Sequence, residues 1–244
     1  MDSLQMTLVL AGALVGGLVN GLTGFGTGLT VLGIWLYAIS PTVAATLVIF
    51  CSCVSQLQML PMIWPTIRWH SVLPFVVPGV LGVPIGTLLL PHIDARLFKI
   101  GIGVFLVAYT SYVLMRRNAT RSSWGGMGAD CVVGFIGGIL GGLAGLSGVL
   151  VVVWTDIRGW NKEHRRGVIQ IFNIAILMLA LVSHAVSGLI TRQVALAAIV
   201  ALPGTIGGAA LGGFIYRRIA DRSYSRVIMV LLLIAGVALI FTSR

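Results

Sequence analysis

Carboxylates are nearly missing from this chain. There are six Asp and Glu in 244 residues, against 16 Lys and Arg, and the formal net charge is +10. The six, Asp2, Asp94, Asp130, Asp156, Glu163 and Asp221, fall at the ends of apolar segments or between them, so none stands in mid-segment to hold Na⁺ or relay a proton. This argues against a conventional cation-coupled symporter. Enzymatic readings fare no better, because the sequence has no cluster of His with carboxylate, no nucleophile motif and no phosphate-binding lysine loop. Cysteine is equally sparse. Cys51, Cys53 and Cys131 are an odd number without metal-like partners, and read as small buried hydrophobes rather than a disulfide framework or a metal site. No metal and no cofactor is expected. Basic runs interleaved with aromatics are missing too, so the positive charge does not point to nucleic acid. A signal peptide is not expected, since Met1-Asp2-Ser3 lacks a basic region and the apolar run from Met6 continues into glycine-rich sequence.

What the chain has in excess is apolar surface. The hydrophobic share is 58%, charged residues are 9% and mean hydropathy is +1.05, more than a soluble core of this size can hide. Charge-free stretches cover residues 6–36, 42–64, 71–91, 100–115, 131–155, 168–190, 194–216 and 227–243. Each is near or beyond the roughly 20 residues that cross a bilayer, so the sequence predicts an all-α integral membrane protein. Trp35, Tyr37, Trp64, Trp69, Trp154, Trp160 and Tyr216 stand near segment ends and fit interfacial anchors. Prolines 74, 78, 84 and 91 predict a kinked or broken third segment.

The segments repeat. Residues Gly16-Gly17-Leu18-Val19-Asn20-Gly21-Leu22-Thr23-Gly24 match Gly137-Gly138-Ile139-Leu140-Gly141-Gly142-Leu143-Ala144-Gly145 at a constant offset of 121, with four glycines and a leucine in common. Pro78-Gly79 with Gly82 matches Pro203-Gly204 with Gly207, and Asp94 with Lys99 matches Asp221 with Arg226. The chain therefore divides into a first membrane repeat at 1–115, a basic inter-repeat loop at 116–127 and a second repeat at 128–244, together one membrane domain.

Charge counting decides their relative orientation. If all eight segments cross fully, the 16 basic residues divide into 6 (Arg68, Arg116, Arg117, Arg121, Arg192, Arg244) and 10, which is hardly a bias. If the first segment of each repeat instead enters and leaves on one side, Arg68, Arg116, Arg117, Arg121, Arg158, Lys162, Arg165, Arg166, Arg217, Arg218, Arg222 and Arg226 share a face against Arg96, Lys99, Arg192 and Arg244. That 12 to 4 split favours two inverted repeats, each with a glycine-rich broken or re-entrant first helix followed by three transmembrane helices. Length agrees. One helix over 6–36 would be about 46 Å long against a hydrocarbon core of about 30 Å, so a turn is expected near Asn20 to Gly28.

A broken helix points unpaired N–H groups and a partial positive charge into the membrane interior, which makes it an anion site by construction. The candidate substrate-binding residues are Asn20, Thr23, Gly24, Gly26, Thr27 and Gly28 in the first repeat, and Gly142, Gly145, Ser147 and Gly148 in the second. Gln170 and Asn173, three apart on one helix face, can donate amides to an anion or bond neighbouring helices. Gln56, Gln58, Ser52, Ser55 and Thr205 are weaker candidates. Arg165 and Arg166 either steer anions toward the site or anchor the helix end by the positive-inside bias. The outer small-xxx-small glycines, Gly12 with Gly16, Gly17 with Gly21, and Gly134, Gly138 and Gly142, read as packing surfaces.

These motifs carry a resemblance. Gly21-Leu22-Thr23-Gly24-Phe25-Gly26-Thr27-Gly28 and Gly142-Leu143-Ala144-Gly145-Leu146-Ser147-Gly148, each followed by Pro-Gly-x-x-Gly, resemble the TauE/SafE sulfite exporter family over nearly the whole chain. The resemblance implies transport of sulfite, sulfonates or related small sulfur anions across the bacterial inner membrane, with the two glycine clusters at the site. Thr27 and Ser147 interrupt the more continuous glycine run of the family. The expected partners are a small anionic substrate and the lipid bilayer, with a homodimer compatible and no nucleic acid. Rival readings are import of a related anion or sulfur compound, and a non-transporting membrane scaffold.

Overall fold

In the computed structural model the described residues are 2–35, 38–89, 100–101, 103–105, 107–108, 110–111, 125–144 and 147–242. They are helical and joined by turns, with no strand among them. The helices are α1 (Ser3–Thr23), α2 (Thr27–Trp35), α3 (Pro41–Ile63), α4 (Trp69–Leu89), α5 (Met127–Ala144), α6 (Gly148–Ile157), α7 (Lys162–Val186), α8 (Arg192–Arg218) and α9 (Asp221–Thr242). Among these residues five helices are long and apolar enough to cross a membrane: Ser3–Thr23, Thr42–Thr66, Trp69–Gly86, Lys162–Val186 and Arg192–Arg218. Large apolar side chains such as Leu81, Ile199 and Phe214 stand exposed on the outer surface, the arrangement a lipid-facing bundle calls for. Most of the predicted inter-repeat loop at 116–127 lies outside the described residues, Gly125, Gly126 and Met127 excepted.

The first apolar segment is a hairpin. α1 ends at Gly24 with φ 82°, and Gly26 follows with φ 91°, two left-handed conformations that glycine adopts without strain and that reverse the chain. α2 then runs back along α1. Thr27 packs near Gly16 and accepts from Asn20, and Trp35 lies over Gly12 and donates its Nε1–H to the carbonyl of Val9 at 3.2 Å. The fifth segment does the same. α6 returns along α5 so that Ser147 packs on Gly137 and Gly141, and Trp154 donates to Asp130 Oδ1 at 2.7 Å. Trp35 is fully buried and closes its hairpin rather than anchoring at an interface, and the half-buried Trp154 closes the other. Trp64 and Trp69 do stand exposed, edge to face at a segment end.

The two halves exchange their helices. α1 packs against α8, and α5 packs against α4. Both seams are made of glycine meeting backbone. A methyl on Gly17 would strike Thr205 O, and one on Gly138 would strike Gly79 O; Gly208 and Gly212 abut the carbonyls of Leu14 and Leu18, as Gly82 and Gly86 abut those of Phe135 and Ile139. Without side chains between them the helix backbones approach within direct contact, which is how helices associate where lipid offers no hydrophobic drive. The packing reading of the outer glycines holds, and Gly82, Gly86, Gly208 and Gly212 are their complement.

α4 carries its prolines without a break. Pro74, Pro78 and Pro84 lie inside a continuous helix, and Pro91 lies outside the described residues. Neighbouring helices at membrane depth hold such a helix together around the missing N–H groups.

Candidate functional site

A cavity of about 40 Å³ with polar groups in its wall opens where the two hairpin turns meet. It is lined by Asn20 and Phe25 to Leu29 from the first hairpin and by Ser147 to Val149 from the second. Val48, Ile49, Ser52 and Gln56 of α3 complete one wall, and Asn173 and Leu177 of α7 the other. Ser52 is the twelfth residue of the 23 in α3, and Asn173 the twelfth of the 25 in α7, so the cavity sits at mid-length of both helices.

Of the predicted site residues the structure brings together Asn20, Gly26, Thr27, Gly28, Ser147, Gly148 and Asn173. Asn173 ties the two turns to each other. Its Nδ2 donates to Gly24 O at 3.1 Å and its Oδ1 accepts from Ser147 Oγ at 2.6 Å. Gly148 leaves the space that this amide fills. On the other side Asn20 Nδ2 donates to Thr27 Oγ1 at 2.7 Å, leaving the threonine hydroxyl proton free for another partner.

Four predicted residues lie elsewhere or serve the scaffold. Thr23 Oγ1 is held by Val19 O and Phe25 O, both at 2.8 Å, and shapes the turn. Gly24 supplies the left-handed residue and the carbonyl that Asn173 bonds. Gly142, half-buried on α5, does not line the cavity. Gln170 spends its amide on structure, Oε1 accepting from Arg166 Nε at 3.0 Å and Nε2 donating to Gln56 O at 2.7 Å. Gly145 lies outside the described residues.

Two further residues define the cavity. Ser52 and Gln56 line it, and both are buried. Gln56 Oε1 and Nε2, like Asn20 Oδ1, have no hydrogen-bond partner. Folded proteins leave few buried polar atoms unpaired, and although Ser55 Oγ and Gln58 Oε1 also lack a partner, three such atoms around one cavity mark where a ligand or water would fit. The sequence signal was there, an amide in an apolar segment, but it was shared with Gln58, whose Nε2 donates to Ile206 O at 3.1 Å.

Arg166 was not legible as what it is. It is fully buried and reaches across to the end of α1, donating from Nη1 to Leu22 O, from Nη2 to Gly21 O at 2.6 Å and more weakly to Asn20 O at 3.4 Å. Tyr224 Oη donates to Thr23 O at 3.1 Å, and Gly24 N–H to Asn20 O at 2.7 Å. The last four carbonyls of α1, which no helix can satisfy internally, are therefore all met inside the protein. A cation at a helix C-terminus also opposes its partial negative charge. Arg166 lies over the Tyr216 ring at 4.6 Å, and among the described residues no carboxylate pairs with it. Its neighbours are engaged as well. Arg165 pairs with Asp156 at 2.7 Å, and Lys162 donates to Ile219 O at 2.8 Å. Each is tied into the protein as well as placed near a helix end.

In electrostatic terms the cavity faces two helix N-termini, α2 at Thr27 and α6 at Gly148, where a helix end carries partial positive charge. A buried cation lies behind the first turn, and no carboxylate lines the cavity. Such a lining suits an anion better than a cation.

These features define a helical integral membrane protein with a mid-span polar site. The chain matches the family model described as sulfite exporter TauE/SafE over residues 8–239, and it belongs to that family. No curated protein and no solved structure matches it. The family is one of membrane transporters of sulfur compounds.

Proposed function

We propose that this protein moves small sulfur-containing oxyanions, with sulfite or an organosulfonate as cargo and export across the bacterial inner membrane as the direction. The observation that carries the reading is the convergence of two half-helix N-termini on one cavity that contains unpaired amides and no carboxylate. Oxygens of the anion would accept from the N–H groups of Thr27, Gly28, Gly148 and Val149 and from the Thr27 hydroxyl, with glycine letting them come close. An inside-negative potential drives an anion outward by about 2.3 kcal/mol per charge per 100 mV, so export needs no carboxylate for coupling.

The reading includes two inverted repeats, 1–115 and 128–244, which the reciprocal seams α1 on α8 and α5 on α4 support. Paired broken helices at the midplane are how inverted-repeat carriers build a substrate site, and rocking one repeat against the other would expose it to either side.

The test is uptake and release of radiolabelled sulfite in proteoliposomes under an imposed potential. Wild-type flux should follow the potential, and the folded Thr27→Val with Ser147→Ala variant should lose about tenfold or more of it, since both hydroxyls sit at the turns. Flux by the wild type that the double variant retains in full would remove these hydroxyls from the site. A folded wild type that moves neither sulfite nor simple sulfonates would instead favour a scaffold.

A further inference from the structure

The polar atoms of the cavity are unbalanced in a way that narrows its ligand, granted the anion-transport reading on which this inference rests. Donors come from the two helix N-termini and the Thr27 hydroxyl. Facing them are Asn20 Oδ1 and Gln56 Oε1, acceptors without partners, beside the equally unpaired Gln56 Nε2. With the Asn20 amide turned over, its oxygen would accept from the Thr27 hydroxyl, so the acceptor that stays unmet in either orientation is that of Gln56. Turning the Gln56 amide over exchanges its oxygen and nitrogen but leaves one acceptor and one amino group in the same space. An oxyanion stripped of every proton offers acceptors only. It would suit the N–H groups while setting lone pair against lone pair at the amides, leaving buried acceptors unmet. An oxyanion that keeps one O–H satisfies both sides, with ionised oxygens on the helix ends and the hydroxyl donating to an amide oxygen.

Charge and size point the same way. Arg166 brings one positive charge behind the first turn with no carboxylate paired to it among the described residues, so a single negative charge neutralises this interior and a double one overshoots. A volume of about 40 Å³ holds a group of a few heavy atoms. We infer that Gln56, with Asn20, is a specificity-determining residue that selects the singly protonated, singly charged form of a small oxyanion, hydrogensulfite over the sulfite dianion.

No ionisable side chain lines the cavity. The helices around the cavity carry Cys51 and Cys53 on α3, Asp156 on α6, Lys162, Glu163, His164, Arg165, Arg166 and His184 on α7, Arg192, Tyr216, Arg217 and Arg218 on α8, and Asp221, Arg222, Tyr224 and Arg226 on α9. α1 and α2 carry none. The test is binding of sulfite to the detergent-solubilised full chain, read by thermal shift, together with flux in proteoliposomes. Both are measured at fixed total sulfite across the pH range that converts hydrogensulfite to the dianion. Methanesulfonate, a monoanion at every pH used and without a hydroxyl, reports any response of the protein's own groups. Apparent affinity for sulfite should fall about tenfold per pH unit once the dianion dominates, as the competent fraction does. Methanesulfonate should bind about tenfold more weakly than hydrogensulfite, at a level flat with pH. Gln56→Met, which keeps the length and removes the amide, should weaken hydrogensulfite binding about tenfold and bring the two protonation states together. The wild-type profile carries the test even where this variant does not fold. Sulfite affinity flat with pH, with flux intact, overturns the selection and leaves transport standing. Binding that follows the protonated form without any flux keeps the selection and overturns transport, and neither binding nor flux overturns both.

Discussion

The two hairpins share a backbone device and divide the side-chain chemistry between them. Each breaks an apolar helix at mid-depth, folds a short helix back, closes it with an indole and presents the N-terminus of that short helix to the same cavity. At positions 121 apart, however, the residues differ. Asn20 faces Gly141 in this comparison, Thr27 faces Gly148, Gly26 faces Ser147, Ser52 faces Asn173 and Gln56 faces Leu177. The first half supplies most of the hydrogen-bonding side chains, and the second supplies bare backbone, space and the amide that links both turns. The two hairpins thus share the geometry of their helix ends while the lining is one-sided. The support behind the turns is one-sided too. Arg166 and Tyr224, both from the second half, cap the end of α1, while the position 121 before Arg166 is Ala45.

The most severe way to break this comparison is Arg166→Met. It leaves Gly21 and Leu22 carbonyls unpaired at depth, and loss of several kcal/mol is expected at about 1–3 per buried group, read as a collapse of thermal stability in detergent. Arg166→Lys should recover only part of it, since one ammonium cannot reproduce the guanidinium fork. A variant as stable as wild type would mean that the α1 end finds other partners. Gly17→Val and Gly138→Val test the seams. Each drives a side chain into the facing backbone, and each should cost about 2–3 kcal/mol by the same assay. A large loss at one seam and none at the other would end their equivalence. The mildest change sharpens the comparison at the cavity. Gln56→Leu should lower sulfite flux about tenfold, and adding Leu177→Gln, which moves the amide to the corresponding place on α7, should restore part of that loss. No recovery would show that the lining has become fully asymmetric.

How much of this could be read beforehand depended on where the deciding partner lies in sequence. The turn at Gly24 to Gly26 was legible because an apolar run too long to cross once met a glycine cluster inside itself, and both facts are local. Thr27, Ser147 and Asn173 were legible as polar groups in apolar segments. Gln170 carried the same signal as Asn173 three residues away, and only the position of Arg166 decides which of the two is spent on the scaffold. Arg166 itself contacts residues 144 to 146 positions distant, and a basic residue near the start of an apolar segment has a sufficient charge-bias explanation. Trp35 was misplaced for a similar reason. Its nearness to a segment end suggested an anchor, whereas its partner, Val9, lies across a hairpin. Pro74, Pro78 and Pro84 allowed either a kink or a break, and no break occurs because neighbouring helices at membrane depth meet the freed backbone groups.

The exchanged seams bear on how the molecule comes to exist. α1 and α4 are made first, and each then carries a row of glycines whose partner helix has not yet been synthesised: α4 must wait for α5, and α1 for α8 near the far end of the chain. Until α7 and α8 have followed, the first hairpin is supported only by α3 of its own half, and its α1 carbonyls have no Arg166. Maturation is thus a late, chain-wide closure rather than two independent foldings. Separately expressed 1–115 and 128–244 fragments would each be degradation-prone alone and should complement each other when made in the same cell.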